Sequence, residues 1–379
     1  MRHLKIIPLI FLSNIVIIFV LMEVLLRMAA PVPLTGYQYQ PCIFAYDNNL
    51  GYRYKAGAVG RVVRFHEIDN VVKINDIGFH NVDRKALLKP THQANEPVRI
   101  LAFGDSFTAA IQVPIKDGWT RKLEQELVSR SGLSAKGRAI QVINMGLGGT
   151  GTDVHLKLMQ EWVAKFKPDL VVLAFFFNDV GDNWRKLIHY SCYRDFILGF
   201  QFDHQEAALK TKIDEQYPFS FLTKLYRTFY AVQALNTYLH FSPNLNVEWA
   251  KPIAPKDNLI KISALFAEMK SLVAAQGAEL IIVPVPAKPT DPPYPESAEV
   301  ARQPALEAQV RLLDVRPNIQ ADLDRRKLTL SDMYWRHDGH FNQIGNAIFA
   351  RATADKLHPI VKGLTKVRHQ GAATSAPGR

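Results

Sequence analysis

Apolar runs of two lengths alternate along the carboxyl-terminal three quarters of the chain, and that alternation predicts an α/β fold. Residues 98–103 form a short run rich in β-branched and aromatic side chains, the mark of a buried strand. The run stops at Gly104, and a hydroxyl, Ser106, follows two residues later. A helix is predicted from Trp119 to Ser129, with Leu123 and Leu127 on the same face as Trp119. A second strand follows over 139–145, then a helix over 152–166 with Leu156, Met159, Val163 and Phe166 on one stripe. Residues 169–176 read as a strand too apolar to face water on either side. A helix over 258–276 carries Ile262, Leu265, Phe266, Met269 and Val273; a fourth strand spans 279–285 and a last helix 342–357. Strands alternating with helices call for a parallel sheet joined by right-handed crossovers.

Three regions depart from that rhythm. Residues 31–96 are rich in Gly, Asn, Tyr and Val, with strand-like pieces at 60–65 and 71–74. They read as a small β-rich extension with no obvious chemistry of its own. Residues 181–255 are aromatic and partly helical, above all over 219–239, and their position suggests a cap as readily as plain packing. The prolines of 284–304 mark an ordered loop, and the polar tail 367–379 is expected to be disordered.

At the amino end, residues 4–22 are apolar except for Pro8, Ser13 and Asn14, with Arg2, His3 and Lys5 before them and Glu23 and Arg27 after. That length approaches a bilayer span and exceeds the usual core of a signal peptide. It favours an uncleaved signal-anchor over residues 1–30, with a cleaved signal peptide as the alternative. In both cases the positive-inside tendency exports the rest of the chain, to the periplasm in a Gram-negative cell. Cys42 and Cys192 would then meet oxidising conditions and could pair, a question spacing leaves open. Neither belongs to a C-x-x-C or Cys/His cluster, which argues against a structural zinc, and no motif calls for another metal or an organic cofactor.

The formal net charge of +11 changes the picture little. The basic residues are scattered and do not interleave with aromatics, which argues against nucleic acid. Such a surface still attracts anionic glycans or lipid headgroups at long range.

Strand, sharp turn with a serine at its tip, then helix is how a serine nucleophile is presented, but the residues do not spell G-x-S-x-G. Gly104-Asp105-Ser106-Phe107 resembles instead the first block of the SGNH (GDSL-like) hydrolase superfamily. Asn144-Met145-Gly146-Leu147-Gly148-Gly149 resembles its second block, Phe177-Asn178-Asp179 its third and Asp338-Gly339-His340 its last. All four stand in the family's order, over residues 98–356. The phrases Leu50-Gly51-Tyr52-Arg53-Tyr54 and Asn75-Asp76-Ile77-Gly78-Phe79 are similar to the lead-in of membrane-anchored members. The resemblance implies a three-layer, flavodoxin-like domain over 97–366 with a parallel central sheet.

The chemistry these residues suit is acyl transfer through serine. A serine hydroxyl needs a base, and His340 fits because imidazole titrates near neutrality. Asp338 would hold the far ring nitrogen and stabilise the imidazolium. The resemblance implies an oxyanion hole made by the backbone N–H groups of Ser106 and Gly149 and the side-chain amide of Asn178. Asp105 and Asp179 read as supporting or structural; Asp153, His155 and His337 lie near the motifs and fit no required role. Two departures stand out. Phe176-Phe177 precedes Asn178 where a glycine usually stands two residues ahead. One residue separates acid from base where many members have two, a spacing found in the polysaccharide O-acetyltransferase branch, including alginate acetylation proteins. The expected activity is removal of a short acyl group, such as acetate, from a glycan. Acyl transfer to a polysaccharide by the same triad is the alternative, and a non-catalytic scaffold in an export complex is a third reading.

Overall fold

The computed structural model describes residues 6–29, 38–64, 67–82, 98–131, 140–183, 189–193, 196–200, isolated positions from 207 to 225, and residues 228–238, 255–290 and 293–374. In chain order the strands are β1 (Gln38–Gln40), β2 (Phe44–Asp47), β3 (Gly51–Tyr54), β4 (Val59–Arg64), β5 (Ile68–Lys73), β6 (Val98–Gly104), β7 (Ile140–Asn144), β8 (Leu170–Phe175), β9 (His189–Tyr193), β10 (Phe196–Phe200), β11 (Glu279–Pro284) and β12 (Arg311–Leu312).

Five of them make the central sheet, in the order β12-β11-β8-β6-β7, with every pairing parallel. All seven residues of β6 are buried, as are all of β7 and β8, which is why these strands read as continuous apolar runs. Their side chains still alternate between faces. Leu101 and Phe103 point into a core shared with Met159, Val163 and Phe166 of the helix Thr152–Phe166 and with Ile262, Phe266 and Met269 of the helix Pro255–Ala274. Ile100 and Ala102 face a second core with Trp119, Leu123 and Leu127 of the helix Trp119–Arg130 and with Ile348, Phe349 and Leu357 of the helix Gln343–Thr374. Two apolar layers on one sheet give the three-layer α/β architecture.

The expected elements of the sheet domain lie within a few residues of their places, and three differences have physical reasons. The last helix runs to Thr374, into the segment whose composition suggested disorder. Composition gauges what a segment can bury, whereas a helix already nucleated adds one hydrogen bond per residue. The proline-rich loop expected over 284–304 turns helical at Ser297–Glu307, with Pro304 inside the helix. Burial of Ala301 and Ala305 against the first core offsets the bond that the proline cannot donate. Finally, β12 has two residues, too few to leave a period in the sequence.

The extension is a three-stranded antiparallel sheet β1-β4-β5 beside the β2-β3 hairpin. Tyr54, Val62 and Val72 are fully buried and join the first core, so the extension is part of the domain's packing. The β9-β10 hairpin, from the segment read as a possible cap, pairs on itself and packs on β2 and β3. The helix Tyr230–Tyr238 from the same segment packs on the amino-terminal helix Ile6–Ala29. Cys42 is disulfide-bonded, and the chain has one other cysteine, Cys192, on β9.

Two buried histidines brace the loops around the carboxyl end of β6 and β7. His80 Nδ1 lies 3.0 Å from the carbonyl of Ala109. His155 Nε2 lies 3.1 Å from Thr150 Oγ1, whose own proton goes to the carbonyl of Leu147 at 2.6 Å. Burial penalises the charged ring and brings His80 down to about 4 and His155 down to about 3. Unfolded, both would titrate near 6.5, so the stability they permit is complete above that pH and declines as pH falls towards 4. Thermal unfolding midpoints should therefore fall over that window. His155→Gln, less stable near neutrality, should show the shallower fall, and equal slopes would contradict the account.

Candidate active site

Four loops converge at the carboxyl ends of the parallel strands, where open α/β sheets commonly bind ligands. The first follows β6. Gly104 has φ +153°, and a Cβ there would collide with Thr108 and with the carbonyl of Ala174, so the strand can end here and turn at once. Asp105 caps the short helix Ser106–Ala109 by accepting from the N–H of Phe107 at 2.9 Å. The carboxylate holds the turn, and Ser106 stands at its tip.

His340 comes from the far end of the chain. Its Nε2 is 2.8 Å from Ser106 Oγ, and its Nδ1 is 2.5 Å from Asp338 Oδ1. The same carboxylate oxygen accepts the backbone N–H of His340 at 2.9 Å. Asp338 is 3% exposed and its second oxygen is ion-paired with Arg64. An ionised carboxylate only accepts, so Nδ1 carries the imidazole proton and Nε2 presents its lone pair to the serine. Phe107 lies against the imidazole, ring centroids 5.2 Å apart, and restrains its rotation. The proposed nucleophile, base and acid are thus in one hydrogen-bonded line.

Gly149 lies in the loop after β7 at φ +72°, a left-handed conformation suited to glycine. The preceding Gly148 donates its N–H to Tyr54 Oη at 3.2 Å, and a Cβ there would lie 3.4 Å from that of Ser106. This places the glycine loop against the serine. Asn178 begins the turn after β8; its Nδ2 donates to Asp182 Oδ2 at 3.1 Å, and its side chain lies close enough to Asp105 to favour that carboxylate's charged form. Asp105 in turn has Ser106 Oγ 3.3 Å from its Oδ2. Serine, glycine loop and amide therefore meet, and Asp105 ties the first to the third.

The carboxyls under this floor are dry. Asp105 and Asp179 are fully buried, and burial raises both above the usual carboxylate range, Asp179 strongly so because Asp105 adds like charge. A neutral Asp179 avoids two buried negative charges beneath the serine. Asp179 Oδ2 also accepts from the N–H of Phe176 at 3.2 Å, which fixes the third loop.

The structure corrects one expectation outright: the β-rich extension does contribute to the site. Arg64, the last residue of β4, holds the acid across 274 positions of sequence. Glu67 accepts the backbone N–H of His337, Tyr54 supports Gly148, and the carbonyl of His80 accepts from Asn144 Nδ2 at 3.3 Å. Lys288, after β11, donates to the carbonyls of Trp335 and Arg336, both at 2.7 Å, and of Asp338 at 3.2 Å. Burial lowers the Lys288 ammonium. No local pattern announces these residues, because each works through a partner far away in sequence. Among the described residues no group of three or more His, Cys, Asp or Glu side chains is placed to hold a metal ion.

Truncating Arg64 would leave the buried Asp338 carboxylate without its cation and let the acid–base pair drift. Arg64→Ala should slow labelling of Ser106 by a fluorophosphonate about ten- to a hundredfold, with Arg64→Lys recovering part of the rate and Ser106→Ala unlabelled. Circular dichroism keeps misfolding separate, and a folded Arg64→Ala that labels at the native rate would refute this positioning role.

Comparison with known proteins adds the family. The model of the GDSL-like Lipase/Acylhydrolase family matches residues 102–348, more than half of the chain. No curated protein matches it. Among solved structures it is similar to TesA, with 15% identity, a TM-score of 0.38 and coverage of 69% of this chain and 99% of that one. It is also similar to the acetyl xylan esterase AlAXEase, with 15% identity, a TM-score of 0.39 and coverage of 69% and 100%. Axe2, an acetylxylan esterase from Geobacillus stearothermophilus, shares 17% identity at a TM-score of 0.39, with coverage of 70% and 96%. On the extent of the family match, the chain belongs to the GDSL-like lipase/acylhydrolase (SGNH) family and is an ester hydrolase of that type.

Proposed function

We propose that this chain is a membrane-anchored, extracytoplasmic serine esterase that removes a short acyl group, such as acetate, from a glycan. The observation that carries the proposal is the line Ser106 Oγ–His340 Nε2 at 2.8 Å and His340 Nδ1–Asp338 Oδ1 at 2.5 Å, held from behind by Arg64.

In this reading Ser106 attacks the ester carbonyl while its proton passes to His340 Nε2. Asp338 stabilises the imidazolium without taking the proton. The carbonyl oxygen becomes an oxyanion facing the N–H groups of Ser106 and Gly149 and the amide of Asn178, which Asp182 orients. The C–O bond to the sugar breaks, and His340 returns the proton to the departing alkoxide. Water then attacks the acyl-serine by the same route, with His340 again as base.

Aromatic packing supports a short acyl group and a sugar alcohol. Phe176 packs between Phe107 and Phe177, with ring centroids 4.5 and 4.4 Å away, and crowds the ground beside the serine. Phe177 stacks on Tyr294 at 5.2 Å and 26°, and Tyr294 is 51% exposed, an amphipathic face of the kind a sugar ring can cover. Export is supported by the bonded Cys42 and by an amino-terminal helix long and apolar enough to cross a bilayer. Hydrogen bonds from the helix Tyr230–Tyr238 to Glu23 favour a retained anchor, since a cleaved leader would take them away.

Incubating the protein with p-nitrophenyl acetate, with and without an oligosaccharide acceptor, tests the reading. Release of nitrophenol independent of acceptor and lost in Ser106→Ala supports hydrolysis. Acetylation of the sugar that depends on Ser106 would replace it with transfer, the reading that the single residue between Asp338 and His340 favours. Inertness across acyl chain lengths in both proteins would leave only a scaffold. Asn178→Ala should lower kcat about a hundred- to a thousandfold with little change in KM; a kcat within a factor of two of the native value would remove the amide from the oxyanion hole.

A further inference from the structure

The amino-terminal helix, largely apolar, carries one acid, and that acid, Glu23, is buried. Its oxygens accept the N–H groups of Tyr230 at 3.0 Å and Ala231 at 2.8 Å, at the start of the helix Tyr230–Tyr238. One turn on, Arg27 donates to Glu23 at 2.6 Å and to the carbonyl of Thr228 at 2.8 Å. One turn back, Phe19 meets Phe229 edge to face with centroids 5.2 Å apart. Three successive turns of the anchor thus grip residues 228–231.

These contacts fix depth as well as position. An acid on a lipid-embedded helix is costly unless fixed donors meet its charge, and the start of the second helix supplies two. Arg27 can reach the headgroups, whereas Phe19 lies about 12 Å deeper along the helix axis. Phe229 goes down with it. Described residues of the same segment that face outward include four large apolar side chains: Phe219, Phe221, Leu225 and Leu235 are 60%, 55%, 37% and 54% exposed. Phe219 and Phe221 stack at 5.8 Å. Their exposure is unfavourable in water and favourable in the acyl and headgroup region.

We infer that Phe219, Phe221, Leu225 and the helix Tyr230–Tyr238 form a second membrane-contacting surface, laid against the anchor in the extracytoplasmic leaflet, whose partner is the lipid bilayer itself. The inference rests on the membrane-anchor reading above. Its consequence is that the catalytic domain is seated on the membrane, where a tether alone would let it swing.

The test uses the full-length protein in phosphatidylcholine vesicles, its native cysteines oxidised. A nitrobenzoxadiazole label is placed in turn through Phe11→Cys on the anchor, Phe221→Cys or Leu235→Cys on the inferred surface, and Leu306→Cys on the exposed face of the catalytic domain. Nitroxide-bearing lipids are expected to quench positions 11, 221 and 235 severalfold more than position 306. Quenching at 11 with 221 and 235 behaving like 306 would overturn the surface and leave the anchor standing. No quenching at 11 would overturn the anchor reading and the inference with it.

Discussion

The carboxylate of Asp338 is where the two parts of this protein meet. One oxygen holds His340 and the other is held by Arg64 from β4. A carboxylate this buried is stable as an ion only with its charge matched and its lone pairs occupied, and the matching cation comes from outside the sheet domain's own sequence. The active site is therefore completed by a segment whose composition suggests an appendage. Tyr54 beneath the glycine loop, His80 beneath Ala109 and Glu67 on the His340 loop repeat the pattern. Three of the four loops that converge there, those of Ser106, Gly149 and His340, are fixed from one side by the extension.

The site is also dry on its underside. Asp105 stands between Phe107, Ser106 and Asn178, and Asp179 stands beneath Phe176. Burial pushes these carboxyls up and the nearby histidines His80 and His155 down, and Asp338 and Arg64 form an ion pair next to the imidazole. In a medium of low dielectric, that pair acts on His340 with little screening.

Much of the catalytic half was legible in the sequence. The strands of the sheet are buried on both faces, so they read as unbroken apolar runs, and the first three motifs sit where such a run stops. Of the proposed site residues, Ser106, Gly149 and Asn178 stand out because each lies within a few positions of a strand end, whereas Asp338 and His340 follow the short helix Leu330–Met333 and stand out only by their residue types and spacing. What was not legible is whatever depends on distant pairing. Arg64 looks like any arginine at the end of a strand, and the two-residue β12 has no period to detect. The helical end of the chain beyond residue 366 has the composition of a tail, because a helix already nucleated is continued by backbone hydrogen bonds that composition does not reveal.

The most direct test is to find the covalent intermediate. The protein would be mixed with p-nitrophenyl acetate, quenched in acid within the first turnover, digested and analysed by mass spectrometry. A single acetyl group on the peptide containing Ser106, accumulating before steady state and absent in His340→Ala, is the result this mechanism requires. Turnover with no acetylated serine, or with the acetyl group on another residue, would contradict it.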